Sequence, residues 1–130
     1  MRRIVVCDTG PLLHLSEANI INFLHLAGEI IIPPFVAEEF KQNASDIKLP
    51  DWVIIKELEE PYKKKALDWR KQIDEGEAAA LALSMQIQAE WFLTDDAIAR
   101  QFGESLGLEI HGSIGLLLWG VAVGHIKNEK

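Results

Sequence analysis

The sequence has one cysteine, Cys7, in 130 residues, so no internal disulfide can form and a disulfide-held scaffold is excluded. Its four histidines show neither HxxxH nor HxH spacing and leave no pattern for a zinc site. Long hydrophobic runs are also missing. The longest, Ile114 to Gly124, is about half of the roughly 20 residues that a spanning helix needs. The start, MRRIVVCD, resembles a leader for two basic and four apolar residues before Asp8 interrupts it. Basic charge is scarce: 13 Lys and Arg against 20 Asp and Glu give a net charge of −7. Such a balance argues against broad nonspecific binding of nucleic acid, which normally shows a basic footprint. GxGxxG, GxxxxGK[ST] and GxSxG are absent, which removes support for dinucleotide, P-loop and nucleophile-elbow chemistry. These absences together lead us to expect a cytoplasmic protein with no membrane association.

What is present is ordinary for a globular chain, 48% hydrophobic and 25% charged, and fits one domain over residues 1–130. Short β-branched runs alternate with longer helical patterns, the signature of an α/β domain with a mainly parallel sheet. Strands are expected at Ile4 to Cys7, Glu29 to Ile32, Trp52 to Ile55 (at an edge), Trp91 to Thr94 and Leu108 to Ile110. Helices are expected over Leu12 to Ala27 with a break near Glu17 to Asn19, then Phe35 to Gln42, Pro61 to Gln72 and Glu77 to Gln88. Ala97 to Leu106 and Ser113 to Val123 complete the set. The helix after Gly76 is apolar on most sides, which implies burial. In Ala97 to Leu106, Ile98, Phe102 and Leu106 repeat at i, i+4 and i+8, the spacing of an inward stripe.

The residues that can carry chemistry are acids. IVVC runs into Asp8 and WFLT into Asp95-Asp96. In open parallel sheets ligands sit beyond the carboxyl ends of the strands, where these acids fall. One such aspartate more often only caps the following helix. Two facing one crevice repel each other and need a cation or a proton to coexist. Glu39 lies three residues after Val36 and beside Phe40, at the border of a buried stripe, while Glu38 falls further toward solvent. Glu77 stands in the first turn of the nearly all-apolar helix, where N-terminal helix charge is an equally good explanation. Asp8-Thr9-Gly10 matches the tripeptide of aspartic proteases, but those are β-rich and this chain alternates.

The order Asp8 in VVCDTGPL, Glu39 in IIPPFVAEEF, Glu77 in DEGEAAALALS and Asp95 in FLTDDAIAR resembles the PIN-domain nucleases. It is most similar to the compact prokaryotic branch related to VapC-type toxins. The later GLEIHGSIGLLLWGVAVG also resembles that branch, so the likeness covers essentially the whole chain. The resemblance implies a Rossmann-like three-layer α/β/α sandwich and a metal-dependent endoribonuclease. In such an enzyme Asp8, Glu39, Glu77 and Asp95 would be the catalytic acids holding Mg²⁺ or Mn²⁺. Many relatives carry Asp where Glu77 stands. It further implies RNA, single-stranded or structured, as substrate, an antitoxin protein as partner, and a homodimer packed through the closing apolar helix.

Several residues keep two readings. Asp96 either assists the metal or begins a helix and pairs with Arg100 four residues on. Thr9 and Thr94 orient neighbouring acids or a water, or cap backbone. Lys63, Lys64, Lys65, Arg70 and Lys71, the one basic concentration, form a solvated helix face or an RNA track. Trp69 packs in the chain or stacks a base; Trp91 and Trp119 sit in apolar runs and read as core. The rival functions are a receiver-like module, which would need an acid pair at the first strand and a lysine at a later strand end, and a catalytically inert PIN-like module that only binds a partner.

Overall fold

Three β-branched side chains in four residues form β1 (Ile4–Cys7), and Val5, Val6 and Cys7 are fully buried. A strand without a polar side is one covered on both faces, and β1 is the central strand of the sheet. The computed structural model describes residues 2–124. On one side β1 pairs with β2 (Glu29–Ile32), which pairs with the two-residue edge strand β3 (Ile54–Ile55). On the other side it pairs with β4 (Trp91–Leu93), which pairs with β5 (Ile110–His111). Every pairing is parallel and the order is β3-β2-β1-β4-β5.

Helices make every crossover. α1 (Thr9–Glu17) and α2 (Asn22–Ala27) join β1 to β2, and α3 (Pro34–Asn43) joins β2 to β3. α4 (Glu60–Trp69) and α5 (Glu75–Gln86) lead to β4, α6 (Ala97–Ser105) leads to β5, and α7 (Ser113–Ala122) follows. This is the Rossmann-like α/β architecture with a parallel sheet that the sequence implied. The chain builds outward from β1 through β2 to β3, then returns past β1 to β4. The order therefore reverses between β1 and β4, and the crevice of the fold opens at their carboxyl ends. Cys7 lies in register with Leu93, and the Asp8 amide donates to the Leu93 carbonyl at 2.9 Å. Asp8 and the residues after Leu93 therefore leave the sheet side by side.

Helix α5 is the buried helix that its composition required. Gly76 through Ser84 are all buried, and four of those residues are alanines, which let its backbone approach the sheet and α4 closely. The break in the first long helix is also present. α1 ends at Glu17, and Asn19 takes a left-handed conformation at φ 61°, which asparagine tolerates. α1 begins at Thr9, earlier than the apolar pattern indicated, because Asp8 caps it by accepting from the Thr9 amide at 2.8 Å.

Helix α6 departs from its pattern. Ile98 is 61% exposed, while Phe102 and Leu106 are only half-buried. Its inward face consists of Ala99 and Gly103. A Cβ on Gly103 would come within 2.7 Å of Ile110 Cδ1, so two small residues bring α6 against β5 and the stripe of large side chains rotates outward. The last strand begins at Ile110 instead of Leu108. Of α7 only Leu116 and Gly120 are buried, leaving Ile114 and Leu118 exposed. Trp91 packs edge-on to Trp119 with ring centres 5.4 Å apart, and Trp69 packs edge-on to Phe102 at 5.4 Å.

Phe92, fully buried in β4, should be a structural anchor. Phe92→Ala is expected to lower unfolding stability by about 3–5 kcal/mol. Leu67→Ala, at a position 60% exposed, should change it by less than about 0.5 kcal/mol. Urea denaturation of the two variants checks the contrast.

Candidate active site

Six carboxylates, those of Asp8, Glu39, Asp74, Glu77, Asp95 and Asp96, border a cavity of about 200 Å³. They come from the ends of β1 and β4, from α3, and from the start of α5. Asp8 is set by the sheet: it is 6% exposed, and its two oxygens accept from the Thr9 amide at 2.8 Å and the Thr94 hydroxyl at 3.1 Å. Thr94 in turn accepts from the Asp96 amide at 3.2 Å. The Thr9 hydroxyl donates to Glu39 Oε1 at 2.7 Å and fixes the carboxylate that α3 presents. Both threonines orient acids. Gly76 leaves room for Glu39, since a Cβ there would collide with Glu39 Oε1. Glu38 is exposed, as its position on α3 implied.

Glu77 serves two ends at once. Its Oε1 accepts from the Asp74 amide at 3.1 Å in a capping box that starts α5, which is the helix-terminus role its position suggested. It is also 7% exposed and borders the cavity. Asp74 was missed by sequence reasoning. The signal was there, because D-x-x-E ahead of an apolar run marks a capping box and so places Asp74 one turn from Glu77.

The two aspartates after β4 diverge. Asp96 caps α6 by accepting from the Ala99 amide at 2.8 Å, and no Asp96–Arg100 ion pair forms among the described residues. Asp95 is drawn toward α7. Its Oδ1 accepts from the Ser113 amide at 2.6 Å, and its Oδ2 takes the Ser113 hydroxyl at 2.6 Å and faces His14 Nδ1 at 2.7 Å. Gly112 permits this approach, since a Cβ there would stand 2.9 Å from Asp95 Oδ1 and 2.7 Å from the Arg100 guanidinium. Neither His14 nor Ser113 was singled out from the sequence. Ser113 carried the weak signal of a hydroxyl residue opening a helix, and His14 carried none.

The electrostatics follow from burial and crowding. Loss of solvent raises Asp8 to about 6, against the hydrogen bonds from Thr9 and Thr94, with the charges of Glu39 and Asp74 adding to the rise. Burial likewise raises Glu77 to about 7, reinforced by Asp8, Asp96 and Asp74. Burial also works to raise Asp95, but the hydrogen bonds from Ser113 and His14 outweigh it and hold Asp95 below the ordinary carboxylate range. Burial pushes the Cys7 thiol well up, so it is no nucleophile.

The family model of a PIN domain matches residues 4–130. The chain belongs to the PIN-domain family. PIN domains are nuclease-type domains that act on nucleic acids and typically use divalent metals. No curated protein matches this chain. Among the described residues of this PIN domain, no helix is long and apolar enough to cross a membrane.

The donor set suits a hard divalent cation, being all oxygen and carrying more negative charge than one cavity can hold unneutralised. Among the described residues no three His, Cys, Asp or Glu side chains are disposed to hold one ion together. Mg²⁺ is commonly held by one or two carboxylates, with waters and substrate phosphates completing its shell, and the cluster meets that requirement.

Raised carboxylate pKa values set the sign of a pH effect. The folded chain holds protons on Asp8 and Glu77 that the unfolded chain has released, so stability falls as pH rises from about 4 to about 7. Asp8→Asn keeps an acceptor for the Thr9 amide and removes one such group. It is expected to raise stability at pH 8 by about 2–3 kcal/mol and to leave it unchanged near pH 3. Metal-free denaturation curves at the two pH values provide the check.

Proposed function

We propose that this PIN domain is a metal-dependent endoribonuclease of the VapC-related branch, acting in the cytoplasm, with residues 1–130 forming one domain. The observation that carries the reading is the gathering of Asp8, Glu39, Glu77, Asp95 and Asp96 around one small cavity at the reversal point of a parallel sheet. Cys7 does not compete with them as a nucleophile, since it is buried with its thiol protonated.

In this reading Asp8, Glu39, Glu77 and Asp95 would hold Mg²⁺ or Mn²⁺, one or two of them in direct contact and the others through its waters, with Asp96 assisting from the α6 cap. When bound, the cation neutralises the clustered charge, activates water and stabilises charge on the phosphate under attack. The chain's own residues do the positioning. Thr94 and the Thr9 amide hold Asp8, Thr9 holds Glu39, and Ser113 with His14 holds Asp95. Asp8 and Glu77 must lose their protons for cation binding, so affinity should rise between pH 5 and 8. Asp95 has most of its acceptor capacity committed to Ser113 and His14, so its contribution combines ligation with anchoring of α7. The partners in this proposal are RNA, an antitoxin protein and a second copy of the chain, the last docking on the exposed apolar face of α7 that carries Ile114 and Leu118.

The test is cleavage of a mixed-sequence single-stranded RNA with Mg²⁺ or Mn²⁺, beside EDTA and variant controls. EDTA should abolish cutting, and Asp8→Asn should lower the rate by roughly a hundredfold or more. Asp95→Asn and Asp96→Asn should also fall, and full activity in either removes that residue from the site. Full activity of Asp8→Asn overturns the reading. Neither cutting nor acid-dependent Mn²⁺ binding transfers the chain to the inert binding class.

A further inference from the structure

A second cavity, of about 290 Å³, adjoins the acid cavity and shares Asp74, Glu77 and Asp96 with it. Its lining carries both signs of charge: beside the shared acids stand Arg70 and Lys71, from the turn that links α4 to α5. Ile98 completes the wall. The helical pattern put this side chain in the core, but the packing of Ala99 and Gly103 turns it outward, 61% exposed, into this groove. We infer that the groove is a subsite for the nucleotide next to the scissile phosphodiester of a single-stranded RNA, with Arg70 and Lys71 taking its phosphate and Ile98 packing against its base.

The inference rests on the nuclease reading and adds to it the path of the substrate. A phosphate brought to the acids is joined on each side to another phosphate that cannot face further carboxylates. The acid cavity itself offers no cation. The adjoining groove does, since Arg70 and Lys71 line it, so a strand leaving the acid cavity through it meets positive charge. Arg70 is paired with Glu75 at 3.1 Å and Lys71 with Asp68 at 3.4 Å. These four side chains are 45% or more exposed, and ion pairs of that kind are weak enough for a phosphate to compete with them. Ile98 needs an unpaired base, whose face is free to bury an apolar side chain, which selects single strands over duplex. Lys64 and Lys65 lie on α4, exposed and outside the groove lining, so they provide an internal control of equal charge.

The experiment measures binding of a short fluorescein-labelled single-stranded RNA to the Asp8→Asn chain by anisotropy over a range of salt. Into this background are placed Arg70→Gln with Lys71→Gln, or Lys64→Gln with Lys65→Gln. Circular dichroism confirms that each is folded. The groove pair should weaken binding about tenfold and reduce the slope of log Kd against log salt by about 1.4, the release expected for two phosphate contacts on a single strand. The control pair should weaken it by less than about twofold. Ile98→Ser should weaken binding with the salt slope unchanged, and Arg70→Lys with Lys71→Arg should restore it. Equal loss from both pairs, or no loss from the groove pair, overturns the subsite. Cleavage by the unsubstituted chain is scored separately. If it cuts RNA and the groove pair binds normally, the subsite alone fails. If it cuts nothing and the groove pair still binds more weakly than the control pair, the nuclease reading fails and the groove is left as a single-strand contact with no scissile phosphodiester beside it, which overturns the subsite as stated.

Discussion

Asp8 is a carboxylate placed at the end of the central strand of the sheet, and most of the site is arranged around keeping it there. The Asp8 amide continues the β1–β4 ladder to Leu93, while its side chain turns from sheet to helix by capping α1. Its position is thus set by backbone on both sides, with little freedom to retreat into water. A carboxylate so confined must be hydrogen-bonded, protonated or neutralised. Thr9 and Thr94 provide the first of these, and the pKa near 6 shows how far the second has gone. The neighbouring acids add their repulsion to that cost, which a cation would relieve in the third way.

The same confinement explains the unusual helix beside it. Strand β1 is covered by α5, which can lie close because five of its nine buried residues are alanine or glycine. That closeness brings the first turn of α5, with Asp74 and Glu77, to the end of β1, and Gly76 leaves space for Glu39 from α3. A capping box that elsewhere would only start a helix here delivers two carboxylates to a shared cavity. Stability and chemistry are opposed at this point, because each buried acid lowers the stability of the metal-free fold as it ionises.

Much of this was legible in the sequence. The β-branched runs of β1 and β2, the acids terminating β1 and β4, and the burial of α5 depend on short-range patterns that any fold must respect. Glu39 was separable from Glu38 by helical spacing alone. The failures have a common origin. Ile98 was read from periodicity, which weighs large side chains, while the helix chose its face by the small Ala99 and Gly103 that fit against Ile110 and Leu81. Asp96 was read either as a metal acid or as the start of a helix paired with Arg100; it does start α6, but by accepting from the free Ala99 amide and not by pairing with Arg100.

The sequence by itself determined the alternation of strand and helix, the parallel sheet that follows from it, and the presence of acids at strand ends. These follow from the local chemistry of β-branched, apolar and capping residues. Only the tertiary structure decided how those acids differ. It ties Asp95 to Ser113 and His14, leaves Asp8 and Glu77 crowded with Asp74, and opens beside them a groove also lined by Arg70 and Lys71. The physical reason is that solvation, charge and hydrogen bonding at each carboxylate are set by residues distant in the chain, such as Thr94 at Asp8 and Ser113 at Asp95.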